Sequence, residues 1–69
     1  MHQEPTASQF DLLFQAGIWG LCRVPPGSLS DVTDLRRAGL VDVGEDGCFR
    51  LTLIGQRTVV LHGGVVHRH

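Results

Sequence analysis

The order of backbone signals between Ser28 and Thr52 constrains this chain more than any other feature. Ser28 offers a helix start, Gly39 a left-handed stop, Asp46-Gly47 a tight reversal and Thr52 a second helix start. Between the first two, Leu29, Val32, Leu35 and Ala38 recur every third residue, which reads as one apolar helical face. Asp31 falls in the first turn and Arg36 and Arg37 in the last, the arrangement the helix dipole favours. A glycine is wanted at position 39 because a side chain clashes where the chain leaves a helix at positive φ. Leu40-Val41-Asp42-Val43 and Cys48-Phe49-Arg50-Leu51 then read as two short strands around an Asp-Gly hairpin turn. Thr52 caps a closing helix from Leu53 to about His62, with Leu53, Ile54, Arg57, Val60 and Leu61 expected on its inner face. Helix, hairpin, helix places the chain in the α+β class.

The first half carries weaker signals. Residues 1–7 are polar and contain Pro5, so they read as a flexible tail ahead of a domain spanning 8–62. Ser8 is the expected cap of a helix opening at Gln9. Phe10, Leu13, Phe14, Gly17 and Leu21 form one stripe, and Leu12, Ala16 and Trp19 lie nearly opposite. A helix apolar on two sides is buried all round or half-covered by a partner. Gly17 and Gly20 each cost about 1 kcal/mol in a helix relative to Ala. A break near Gly17 is therefore expected, then a short helical turn over residues 18–23, ended by Val24-Pro25-Pro26-Gly27. Residues 63–69 form a Gly/His-rich tail. Residues 58–62 and 65–69 also read as a hairpin around Gly63-Gly64, and Val65-Val66 could pair with the edge of the first hairpin.

Leu35, Gly39, Leu40 and Val41, followed by Leu51, Thr52 and Gly55, carry a resemblance over about half the chain, residues 28–62. The run resembles the small winged helix-turn-helix domains of bacterial transcriptional regulators, the multiple-antibiotic-resistance (MarR-like) and arsenic-repressor (ArsR-like) families. In those families a recognition helix ends in Leu-x-x-x-Gly-Leu-Val, a two-stranded wing follows, and Leu-Thr-x-x-Gly opens the next helix. The match at Leu51, Thr52 and Gly55 favours a helix over a hairpin at residues 58–62. The family's second helix has only residues 18–24 available here.

The resemblance implies a cytoplasmic DNA-binding regulator that lays residues 28–38 in the major groove of double-stranded DNA. Ser28, Ser30, Thr33, Arg36 and Arg37 are its polar candidates for contact there, and Arg50 and Arg23 could reach phosphates, with Arg57 a weaker candidate. Leu12 and Trp19 are the candidates for a partner or homodimer interface, since exposed Trp favours interfaces. Charge weighs against DNA: the formal net charge is −1, all six basic residues are Arg, and Asp31, Asp34, Glu45 and Asp46 lie on the expected contact elements. The alternative is a protein-binding winged-helix adaptor or inhibitor, the kind of stand-alone domain phage and mobile elements encode.

Other classes find little support. At 69 residues, 42% apolar and 19% charged, the chain suits one small globular core. No secretory start and no run near the roughly 18 apolar residues of a membrane span stand out. Cys22 and Cys48 form no C-x-x-C pair, so they read as buried reduced thiols. His62, His67 and His69 read as solvent-exposed, with no metal or cofactor expected. No nucleophile is paired with a base by any recognisable spacing, so no enzyme is expected.

Overall fold

The first helix starts at Thr6, not Ser8, in a computed structural model that describes residues 4–66. The Thr6 hydroxyl accepts from the Gln9 backbone N–H at 3.2 Å, and Gln9 Oε1 accepts from the Thr6 N–H at 3.1 Å. Two orphan N–H groups are satisfied reciprocally. Helix α1, Ala7–Trp19, passes through Gly17 without a break. The expected interruption is absent because Gly17 has a tertiary use. A Cβ there would lie 2.5 Å from the Val65 carbonyl oxygen. The buried face of α1 lies between the two apolar stripes, taking Leu13 and Gly17 from one and Leu12 and Ala16 from the other.

Gly20, at φ +81°, ends α1 and donates its N–H to the Ala16 carbonyl at 2.8 Å. The expected helical turn over residues 18–23 is replaced by a strand, β1, Cys22–Arg23. Its backbone groups are satisfied across a ladder instead of along a helix. β1 pairs antiparallel with β3, Cys48–Leu51, which also pairs with β2, Val41–Val43. The sheet therefore has three strands in the order β1-β3-β2. Cys22 lies opposite Phe49, Val41 opposite Leu51 and Val43 opposite Phe49, so these side chains share the inner face.

Helix α2, Leu29–Arg37, ends as the sequence suggests. Gly39 has φ +78°, its N–H donates to Arg36, and the Leu40 N–H donates to the Leu35 carbonyl. These two bonds make a Schellman motif. Leu29 and Ala38, expected on the core face, are exposed. Steps of three residues drift by about 60° each on a helix of 3.6 residues per turn, so four such residues span half the circumference. Only the middle pair, Val32 and Leu35, reaches the core.

Helix α3, Leu53–Leu61, is capped by Thr52, whose hydroxyl accepts from the Gly55 N–H and donates to the Gly39 carbonyl. One side chain thus ties the end of α2 to the start of α3. A second Schellman motif at Gly63, φ +81°, closes α3. This excludes the hairpin alternative over the described residues. Gly64 packs on Val59 and Phe14, Val66 packs against the core, and the Val65 carbonyl lies over Gly17. Residues 63–66 therefore return along α1 and do not pair with the hairpin edge. The outcome of the expected inner face of α3 is opposite to expectation: Gly55 and Val59 are buried, and Leu53, Ile54, Arg57, Val60 and Leu61 face outward.

Ten apolar side chains close the core: Leu12, Leu13, Ala16, Val32, Leu35, Leu40, Val41, Phe49, Leu51 and Val59. Burying each large one is worth roughly 1.5–3 kcal/mol. Against these ten stand nine large apolar side chains, among the described residues, that remain at least half exposed. A core this small leaves much apolar surface uncovered.

Candidate functional site

The outer surface of α2 holds most of the residues that sequence reasoning assigned to DNA. Ser30, Thr33, Arg36 and Arg37 are all exposed, and Ser28 is half-buried without a side-chain capping bond. At 100° per residue, Ser30, Thr33 and Arg37 fall within about 60° of one another, directly away from Val32 and Leu35. Leu29 and Arg36 flank them on one side. The Thr33 hydroxyl donates to the Leu29 carbonyl at 2.8 Å, which leaves its lone pairs to accept.

Asp31 and Asp34 flank the other side and are held there. Gln9 Nε2 donates to Asp31 Oδ1 at 3.2 Å and to Asp34 Oδ2 at 3.4 Å. Gln9 is thus shared between the capping box of α1 and two carboxylates of α2, although its residue is only 8% exposed. Sequence reasoning missed it. The Thr6-x-x-Gln9 spacing was the available signal for its capping role, and nothing local signals its contact with α2.

The remaining basic candidates lie elsewhere. Arg50 is exposed on the outer face of the sheet, opposite Asp42 in the β2–β3 ladder. Opposite charges at such positions attract, so Arg50 is partly balanced. Arg23 is exposed opposite Cys48, and alternation puts it on the same outer face. Glu45 and Asp46 are exposed at the hairpin tip, where Asp46 Oδ1 accepts from the Cys48 N–H at 3.1 Å.

Of the two interface candidates, Leu12 is 5% exposed and belongs to the core, because it sits on the α1 face between the two stripes. Trp19 is 72% exposed at the end of α1, beside Ile18 and near Leu21 in the chain, both about half exposed. A shallow groove lined by Ala7, Phe10, Asp11, Phe14 and His62 runs where α1 meets the end of α3. Phe10 and His62 have ring centroids 4.5 Å apart, and His62 Nδ1 lies 2.9 Å from the Thr58 carbonyl. His67 and His69 lie outside the described residues. Among the described residues no cluster of three His, Cys, Asp or Glu could hold a metal ion.

Cys22 and Cys48 are free and half-buried, where the sequence suggested buried reduced thiols. The Cys22 thiol is pushed above its ordinary range, first by burial and then by the neighbouring Cys48. No helix among the described residues is long and apolar enough to cross a membrane. Comparison with family models, characterised proteins and solved structures produced no match to this chain.

Proposed function

We propose that this chain is a winged-helix DNA-binding domain that presents α2 to the major groove, with a regulatory role in the cytoplasm. The observation that carries the reading is the outer face of α2. Its centre is polar and basic through Ser30, Thr33 and Arg37, Arg36 flanks it on one side, and Asp31 and Asp34 flank it on the other in contact with Gln9, Asp34 remaining exposed. The element order and the β1-β3-β2 sheet suit a winged helix in which the segment between β1 and α2 is a turn, with the Ser28 N–H donating to the Pro25 carbonyl. The helix that would precede α2 in a full helix-turn-helix is missing, so α1 supports α2 directly through Gln9.

Fluorescence anisotropy with a labelled mixed-sequence duplex at low salt tests the reading. Binding should appear at micromolar protein and weaken steeply as salt rises. Arg36→Ala and Arg37→Ala should each weaken binding, with a stability loss of no more than about 1 kcal/mol from the last turn of α2. No binding at tens of micromolar protein would overturn it. A second reading, a protein-binding adaptor or inhibitor, is favoured by the apolar outer face of α3, where Leu53, Ile54, Val60 and Leu61 are each more than half exposed.

A further inference from the structure

The outward residues of α3 form a pattern with a centre. At 100° per residue, Leu53, Ile54, Arg57, Val60 and Leu61 occupy an arc of about 120°. Arg57 lies at the middle of that arc and also at the middle of the nine-residue helix. Leu53 and Ile54 precede it by four and three residues, and Val60 and Leu61 follow by three and four. All four are neighbours of Arg57 on the helix surface. The Arg57 side chain therefore leaves the helix between four apolar side chains exposed by 65%, 60%, 56% and 82%.

We propose that this face docks an amphipathic helix of a partner protein that carries an Asp or Glu within its apolar stripe. The inference deepens the protein-binding reading and does not depend on DNA contact through α2. Two properties of the face select this occupant. Its length, about 13 Å at 1.5 Å per residue, suits two to three turns of a facing helix, and rows at i±3 and i±4 are the ridges that helices interlock. Its charge calls for an acidic counterpart, because docking takes Arg57 out of water and an unpaired buried charge is costly. A carboxylate supplies both the charge and the acceptors the guanidinium needs.

A second copy of the chain fits poorly. A two-fold axis through the middle of α3 would set Arg57 against its symmetry mate inside the same apolar ring, placing like charges in a desolvated site. The exposed acidic pair Glu45 and Asp46 of another copy is flanked by Gly44 and Gly47, so it brings no apolar surface to the ring. One face of a nine-residue helix makes a short interface, so micromolar affinity is the expectation.

The test uses the full chain and a displayed library of helical peptides with a leucine stripe whose central position varies among Glu, Asp, Gln, Lys and Leu. Selected peptides are synthesised, their affinities measured, and their contacts mapped by amide shifts in the ¹⁵N-labelled chain. The proposal expects Glu or Asp at the central position, with shifts concentrated on residues 53–61. Arg57→Glu should weaken an acidic peptide at least about tenfold and strengthen its Lys counterpart. Arg57 is exposed, so the variant should fold, and circular dichroism checks that it does. Selected peptides without acidic preference, or no binder at 1 mM peptide, would overturn the proposal. A sedimenting dimer broken by Leu61→Glu would overturn it in favour of a second copy. Binders that map to Trp19 and Ile18 would overturn the α3 assignment alone and leave the protein-binding reading standing.

Discussion

Helices α2 and α3 share a plan: nine residues each, a Ser or Thr at the N-cap position and a Schellman motif closed by glycine. They differ in what they turn toward the core. α2 buries Val32 and Leu35 and shows solvent a polar, basic face. α3 buries Gly55 and Val59 and shows solvent four large apolar residues around an arginine. α2 meets the core through side chains, whereas α3 meets it nearly backbone to backbone, since a Cβ on Gly55 would collide with the Leu40 carbonyl. The Thr52 bond to Gly39 fixes where α3 begins, and the close approach then fixes which side faces in. The lesson is that grouping residues on one helical face does not say whether the group is inside.

The sharpest way to break this contrast is to remove one leucine from each kind of site. Leu35→Ala should cost about 2–5 kcal/mol in urea denaturation, while Leu61→Ala should stay within about 0.5 kcal/mol. Equal costs would mean that the outer face of α3 is covered. Next in size is Gly55→Ala, where the added methyl must push α3 away from Leu40, at about 1–3 kcal/mol. A change on the exposed face of α2, Ser30→Ala, should be neutral within about 0.5 kcal/mol by the same measurement.

Gln9→Ala separates the helices differently, because it releases Asp31 and Asp34 and half of the α1 capping box. A loss of about 1–2 kcal/mol is expected, with amide exchange quickening first in residues 7–10. A variant as stable as the parent would show that these bonds tie nothing together.

The smallest effect concerns Cys22, whose folded thiol is pushed above the unfolded range by burial and by Cys48. The folded state thus favours the neutral thiol. That contribution is complete below the ordinary thiol range and is lost as pH rises through the elevated folded value. Iodoacetamide labelling of Cys22, followed by mass spectrometry, should accelerate at higher pH in the folded protein than in urea. Coincident pH profiles would contradict this.

Much of the second half of the fold is legible in the amino-acid sequence, and for a local reason. Gly39, Gly47 and the Thr52 cap of the Gly55 N–H act within a few residues, so those roles can be read in place, whereas the Thr52 bond to Gly39 cannot. The Thr6-x-x-Gln9 box is equally local, but Ser8 stands as a competing cap and draws the expected helix start two residues late. β1 leaves no local trace, because a two-residue strand exists only through its partner β3. Of the candidate site, the α2 residues are legible from helical spacing. The tethering of Asp31 and Asp34 is not, because it depends on a side chain from another helix.

In the second half of the chain the amino-acid sequence by itself determined the turn after α2, the hairpin reversal and the Thr52 cap, since those choices rest on φ preferences and bonds a few residues long. Tertiary structure alone decided which faces of α1 and α3 are covered. Both helices carry apolar residues on more than one side, so hydrophobicity does not choose between them. The choice fell to two close approaches, Gly17 under the Val65 carbonyl and Gly55 against Leu40, where only a missing side chain lets distant segments of backbone meet.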